Sequence, residues 1–599
     1  METIRIPARD EIDAAYQWNV AKIYADEAAW QADLERLQQA LPEAASYSGH
    51  LGDGVETMLA CLHWQEEYGM LLERLYLYAS LRHDEDQGDS RWQALYDRIE
   101  GLAAQFSQAV AYFSPEVLAL PAQQLDDYLR QPQMQLYGRM FAEIRRQQPH
   151  TLSPAEEKLL AGSGEMAGAF ANIYGMLTNA DMEFPLLTNE QGQPEQLSAG
   201  NYIRFLQSRN RELRRLAFCA KHEVYARYGN TIATNLAASV KKDNFYAEAQ
   251  RYASALDAAL FSDNMPEQVY RGMIAAVRAH LGDLAQYLAQ RRRILGLDEL
   301  HMYDIYVPLF PELKQKFDWQ QAKRIALDAL QPLGSDYLSV LGNGLEQGWV
   351  DVYENRGKAS GAYSSGVYGT DPYILLNFQN DLNGVFTLVH EAGHSMHSYY
   401  SRHSQPYVYA DYRIFVAEVA STLNENLLID YLLSRAESKD EMRYLTNHFL
   451  EEFRATVFRQ TMFAEFELQM HEAAQAGRPL TADTLCEMYY QLNCDYFGSE
   501  VKVDEQIAWE WARIPHFYRP YYVYKYATGF CAASVLALGL LDPDPQAAAA
   551  ARERYLHFLA AGCSKDPLDL LVDAGVDLRQ PQAMDKAFAL FASLAKTLS

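Results

Sequence analysis

Long stretches of this chain space Leu, Ala, Tyr and Trp three and four residues apart with Glu, Gln, Arg and Lys between them, a period that puts the apolar side chains on one face of a helix. From Glu27 to about Gln148 the pattern is nearly continuous, as in Asp33-Leu34-Glu35-Arg36-Leu37-Gln38-Gln39-Ala40-Leu41 and in Glu66 to Arg82. These Leu and Tyr stripes read as core-facing, with no sign of a cofactor box. A turn-rich interval, Phe184 to Gly200, holds Pro185, Asn189, Gly192, Pro194 and Gly200 and predicts a hairpin and a domain seam. The helical pattern resumes at Asn201. The expected fold is therefore mainly α, with an N-terminal helical domain over 1–200 and a larger domain over 201–599.

One stretch departs from the helical period. Gly361 to Phe378 is rich in Gly, Ser, Tyr and Thr and ends in the β-like run Tyr373-Ile374-Leu375-Leu376-Asn377-Phe378. An edge strand there would bind an extended peptide through backbone amides; a buried core strand satisfies the same pattern.

Directly after it, Val385, Phe386, Leu388, Val389, Ala392 and Met396 recur at helical spacing, Asp381 and Asn383 are good caps, and no proline follows until Pro406. This helix, ending near Arg402, carries the only HExxH of the chain, His390-Glu391-Ala392-Gly393-His394. Positions i and i+4 share a face, so both imidazoles can address one ion while Glu391 reaches a water beside it. Gly393 costs about 1 kcal/mol relative to Ala in mid-helix, which makes sense where another backbone packs closely. None of Cys61, Cys219, Cys486, Cys494, Cys531 and Cys563 forms a CxxC pair or lies near residue 390, so a third ligand must be a carboxylate or another His. If Ile414 to Glu425 forms a helix returning antiparallel to the first, Glu418 falls about one turn in, among Val, Ala and Phe. A carboxylate in apolar surroundings calls for a partner, which makes Glu418 the candidate ligand. Glu425, two turns on along the same face, is placed either to hydrogen-bond a ligand imidazole from behind or to stand as a plain surface carboxylate. His397 reads as a packed histidine, or one that supports a ligand from behind, rather than a fourth ligand.

Composition narrows the classes. A chain of 599 residues exceeds a single compact core, and its 49% hydrophobic share allows large ones. The longest apolar run, Cys531 to Leu541, is too short to span a bilayer. Met1 to Asp10 has no apolar region, so no secretory signal is expected, and sparse unpatterned cysteines fit a reducing cytoplasm. A net charge of −27 argues against nucleic acid as partner. That acidity serves solubility first.

The sequence HEAGHSMH, followed by AEVASTLNE, resembles the thimet oligopeptidase and neurolysin superfamily of zinc peptidases, and within it the oligoendopeptidase F branch. Three further stretches match in order: Gly357-Lys358-Ala359-Ser360-Gly361-Ala362-Tyr363, then Ile374-Leu375-Leu376-Asn377-Phe378, then Arg513-Ile514-Pro515-His516-Phe517-Tyr518 leading into Tyr522-Val523-Tyr524-Lys525-Tyr526-Ala527-Thr528-Gly529. The resemblance implies a multi-helical neurolysin-like architecture with a small β element beside the metal helix and a deep, narrow substrate channel. It implies one zinc per chain on His390, His394 and Glu418, Glu391 as general base, and hydrolysis of internal bonds in short oligopeptides. It also implies that a His and Tyr residues of the C-terminal third stabilise the oxyanion; by order these are His516 and Tyr524, with Tyr518 and Tyr521 both candidates for the other cleft tyrosine.

Three other readings fit parts of the pattern. A zinc exopeptidase, of aminopeptidase or dipeptidyl carboxypeptidase type, shares HExxH with a downstream Glu, but the GxMEN segment common in aminopeptidases is missing. A di-iron carboxylate protein needs a second ExxH, and Glu391 to His394 is the only one. A non-catalytic helical metal-binding protein would carry the motif without turnover. A two-His, one-carboxylate set also suits iron or manganese.

Overall fold

The computed structural model describes residues 5–313 and 315–598. Helices dominate, and the strands are few and short. The chain forms two compact units by alternating between them: Met1–Pro149, Lys314–Tyr431 and Leu536–Gly575 build the first, and His150–Leu313, Leu432–Val535 and Val576–Ser599 the second. Each unit thus draws on both sides of residue 200. The physical reason is that long-range packing, which local periodicity does not report, decides where a core closes.

In the first unit the N-terminal pattern becomes helices Glu27–Ala40, Val55–Glu85 and Ser90–Val110, whose stripes meet in one core with Trp30, Leu34, Leu75 and Tyr78 fully or almost fully buried. Tyr373 and Leu375 complete the same core, so the helices rest against a small sheet. That sheet contains β4 (Val350–Asp351), β5 (Tyr363–Ser365) and β6 (Tyr373–Leu375) in the order β4-β6-β5. β4 runs parallel to β6, and β5 antiparallel to it with Ser364 opposite Ile374. The β-like run beginning at Tyr373 is therefore a buried central strand. β4 and β5 are the two edges; β4 is buried, whereas all three residues of β5 are partly exposed.

The loop before β5 is pinned from below. Lys358 is buried, its ammonium 2.7 Å from the Asp351 carboxylate and donating to the carbonyls of Tyr353 and Leu376 at 2.7 and 2.6 Å. Gly357 turns with φ +84°, where a Cβ would collide with Asp86. Tyr363 donates its hydroxyl to Asp84 at 2.7 Å, which fixes the start of β5.

Among its described residues the second unit is mainly helical, with two small strand pairs. β1 (Leu186–Thr188) and β2 (Pro194–Gln196) form the expected hairpin, and β3 (Leu300–His301) pairs in parallel with β7 (Val501–Lys502). Phe453, Phe458, Phe588 and Phe591 pack ring against ring at its centre, with centroids 4.9 to 5.8 Å apart for the pairs Phe453–Phe591, Phe453–Phe458 and Phe458–Phe588. Buried charge is paired there: Glu451 accepts from Arg454 at 2.9 Å and from Arg291 at 2.9 Å. Among the described residues no helix is long and apolar enough to cross a membrane.

Candidate active site

Helix Leu382–Ser404 begins where its cap predicts, with the Asp381 carboxylate accepting from the Gly384 N–H at 2.9 Å. Helix Ile414–Arg435 follows after a short connection. The two run antiparallel: His390 meets Glu425 and Glu418, His394 meets Glu418, and Asn424 donates to the Val389 carbonyl at 3.2 Å. They approach closely at Gly393, where a Cβ would stand 2.6 Å from the Ala420 carbonyl oxygen and 2.6 Å from the Ser421 Cα. The helix tolerates glycine there because only glycine lets the second backbone in.

That approach brings one side-chain set together. Glu418 Oε2 lies 3.5 Å from His390 Nε2 and 3.6 Å from His394 Nε2. Ligand atoms placed about 2.1 Å from a common tetrahedral ion would be about 3.4 Å apart, so the set fits a small divalent cation. Among the described residues, these three form the one such group of His, Cys, Asp and Glu. Glu418 is not enclosed in apolar surroundings, as its neighbours in the sequence suggest. Its side chain is 39% exposed, and what singles it out is its distance from the two imidazoles rather than burial.

Around this set the electrostatics are ordered. His390 Nδ1 lies 3.0 Å from Glu425 Oε1, which holds the ring with Nε2 toward the ligand position. Burial alone would lower the His390 pKa, but the Glu425 hydrogen bond and charge, with Glu391 and Glu418, raise it to about 9. Burial and the neighbouring His390 charge push His394 down to about 4, leaving it a neutral donor of a lone pair. Ser421 Oγ donates to Glu418 Oε2 at 3.1 Å. Glu391, 6% exposed, has one buried carboxylate oxygen with no hydrogen-bond partner. Burial first, then the Glu418 and Glu425 charges, raise its pKa to about 7, with His390 and the Ser364 backbone opposing. His397 is 1% exposed, stacks on Tyr412 with ring centroids 3.6 Å apart and is pushed down to about 3 by burial; it is a packed histidine.

The other expected residues lie in the second unit. His516 is partly exposed, and burial together with the Arg459 and Arg519 charges lowers its pKa, so it presents a neutral imidazole. Tyr518 is 9% exposed and its hydroxyl accepts from Asn235 Nδ2 at 3.2 Å, which leaves its own proton to donate. Tyr521 and Tyr524 are more deeply placed, 3% and 1% exposed, both against the Tyr270 ring. Sequence reasoning missed Ser364, whose backbone amide reaches Glu391 from β5 and whose hydroxyl is 2.8 Å from that of Ser395. No motif marks it; a prediction of which strand is the exposed edge would have found it.

Two imidazoles one helical turn apart, a carboxylate from the facing helix and a buried glutamate between them make a set that can hold a cation and take a proton from water, which defines a metal-dependent hydrolase. Comparison with known proteins narrows the class. Residues 204–590 match Peptidase family M3 and residues 116–184 match the Oligopeptidase F family, so the chain belongs to peptidase family M3 and is a metalloendopeptidase acting on oligopeptides. It is 45% identical over 588 residues to Oligopeptidase PepF of Bacillus subtilis (strain 168), covering 98% of this chain and 87% of that protein. Group B oligopeptidase PepB of Streptococcus agalactiae serotype III (strain NEM316) is 39% identical, with 97% and 96% covered. Among solved structures, oligoendopeptidase-F from Enterococcus faecium superposes with a TM-score of 0.73 at 36% identity, covering 96% of this chain and 98% of that one. A crystal structure described as a putative peptidase from Chlamydophila abortus reaches 0.93 at 36% identity, with 99% of each chain covered.

Proposed function

We propose that the chain is a zinc-dependent oligoendopeptidase whose ligands are His390, His394 and Glu418, with one zinc per chain. The observation that carries this reading is the 3.5 and 3.6 Å spacing of Glu418 Oε2 from the two Nε2 atoms. A divalent ion bound there supplies positive charge that acidifies water and polarises a peptide carbonyl. Glu391, next to His390 on the same helix, takes the water's proton and returns it to the leaving amine. Glu425 keeps His390 turned toward the ligand position, and Ser421 does the same for Glu418.

Oxyanion stabilisation is assigned to His516 and Tyr524, with Tyr518 as a further hydroxyl donor. The neutral, partly exposed imidazole of His516 supports the first assignment. The buried Tyr524 phenol makes the second a sharper question, and Tyr524→Phe answers it: wild-type kcat would remove Tyr524 from the donors. The partly exposed edge strand β5 suits an extended peptide, whose backbone would add to the sheet near Glu391 by displacing the Ser364 amide from that carboxylate. Short oligopeptides are the substrate class, and the cytoplasm, where such peptides arise from protein turnover, is the proposed location.

The deciding experiment is hydrolysis of an internally quenched peptide blocked at both ends, before chelation, after it and after zinc is restored. Cleavage that disappears with the metal and returns with zinc is expected. A need for a free amino or carboxyl terminus would favour an exopeptidase, and cleavage unaffected by chelator would defeat the zinc reading.

A further inference from the structure

The segment that carries His516 and Tyr524 runs from the short turn Pro515–Tyr518 to helix Tyr524–Leu540. Tyr521, between them, has φ +53°. A left-handed backbone is strained for a bulky residue and persists only where its surroundings impose it. The structure supplies the cause. The Tyr521 N–H donates to Glu467 Oε1 at 2.7 Å, and Glu467 is 1% exposed, with its other oxygen buried and unpartnered.

Glu467 belongs to helix Arg459–Gln475, one face of which is a template for the segment. Phe463, one turn before it, and Phe466, the residue preceding it, hold the Phe517 ring at 5.8 and 5.2 Å. One turn after it, His471 lies 4.8 Å from the Tyr521 ring. Tyr270, tied by its hydroxyl to the Ala464 carbonyl at 2.7 Å, contacts the Tyr521 ring at 5.5 Å and the Tyr524 ring at 5.1 Å. A buried carboxyl with one backbone partner is a costly way to gain stability. It is an effective way to select one backbone conformation.

We propose that Glu467 is a positioning residue for peptide hydrolysis: by holding the Tyr521 N–H in the left-handed conformation it sets the turn between His516 and Tyr524 and with it the direction of both donors. This rests on the assignment of those two residues to the oxyanion. Burial, reinforced by the Asp243 charge, raises the Glu467 pKa well above the carboxylate range, so the group acts as a neutral carbonyl acceptor that an amide can imitate.

The test is steady-state hydrolysis of the blocked quenched peptide by Glu467→Ala and Glu467→Gln. Misplaced donors should lower kcat about tenfold or more in Glu467→Ala, with KM within about twofold and zinc content unchanged. Glu467→Gln should recover at least half of wild-type kcat. Wild-type kcat in Glu467→Ala overturns the proposal, as does failure of Gln to rescue. Tyr521→Gly removes the φ penalty and keeps the test open should Glu467→Ala fold poorly: in that background adding Glu467→Ala should cost kcat less than about threefold, and a tenfold loss overturns the proposal. His516→Ala assayed alongside separates the two levels. Wild-type kcat there defeats the donor assignment, whereas loss there with full kcat in Glu467→Ala defeats the positioning role alone.

Discussion

The metal-site helices of the first unit and the His516 to Tyr524 segment of the second solve the same problem, holding polar groups in fixed directions, by opposite means. The first uses regular backbone: i,i+4 spacing aims two imidazoles, a glycine admits the facing helix, and the ligand carboxylate stays partly in solvent. The second uses irregular backbone held from behind by a buried carboxyl and aromatic rings. Regular backbone leaves its signature in sequence spacing. Irregular backbone does not, because its determinants sit tens or hundreds of residues away.

The sharpest way to break the first half of the comparison is Glu391→Gln. Removing the base should lower kcat by about 10²–10⁴ while zinc content stays at the wild-type level, read by turnover and metal analysis together. Equal turnover would show that another group takes the proton.

Charge in the second unit behaves differently, because it is buried. Glu451→Gln leaves Arg291 and Arg454 without their carboxylate and should cost about 3 kcal/mol in denaturant unfolding. Burial alone would raise the Glu451 pKa, but the Arg454 and Arg291 charges outweigh it and bring it down to about 2. Because the folded pKa lies below the unfolded one, this stabilisation is complete above about pH 4.5 and is lost as pH falls toward 2. The gap between wild type and variant should therefore be flat from pH 5 to 8 and narrow below; a gap that widened on acidification would contradict the pairing.

Gly393→Ala tests the close approach itself. A Cβ 2.6 Å from the Ala420 oxygen must push the helices apart, at about 1–3 kcal/mol of stability and with weaker metal binding. Unchanged stability and affinity would mean that the helices meet less tightly than here. Glu425→Gln should leave the fold intact and weaken zinc binding about 10–100-fold, measured by competition with a chelator.

How much was legible follows the same division. The helix over 382–404, its Asp381 cap, the close contact at Gly393, the hairpin near 190 and the packed character of His397 could all be read locally. The alternation of the chain between two units could not, since it depends on contacts between segments such as Val55–Glu85 and β6 that are remote in sequence. Nor could the edge position of β5, because Tyr363-Ser364-Ser365 has no strong strand pattern and acquires its place from Lys358 and Tyr363 anchoring the loop before it. Glu418 does lie beside the two imidazoles, but not in the apolar surroundings its sequence neighbours suggest: they face the core while its own side chain is partly exposed. Tyr521 was a candidate by order in the chain, but its left-handed backbone and the part played by Glu467 carried no signal, because neither residue type announces them.

The central claim is that a carboxylate from the second helix completes the metal site begun by the HExxH motif. Its most direct test is zinc stoichiometry of purified Glu418→Ala beside wild type. One zinc per chain in wild type and a clear deficit in the variant is the expected result; full zinc occupancy in Glu418→Ala would contradict the account.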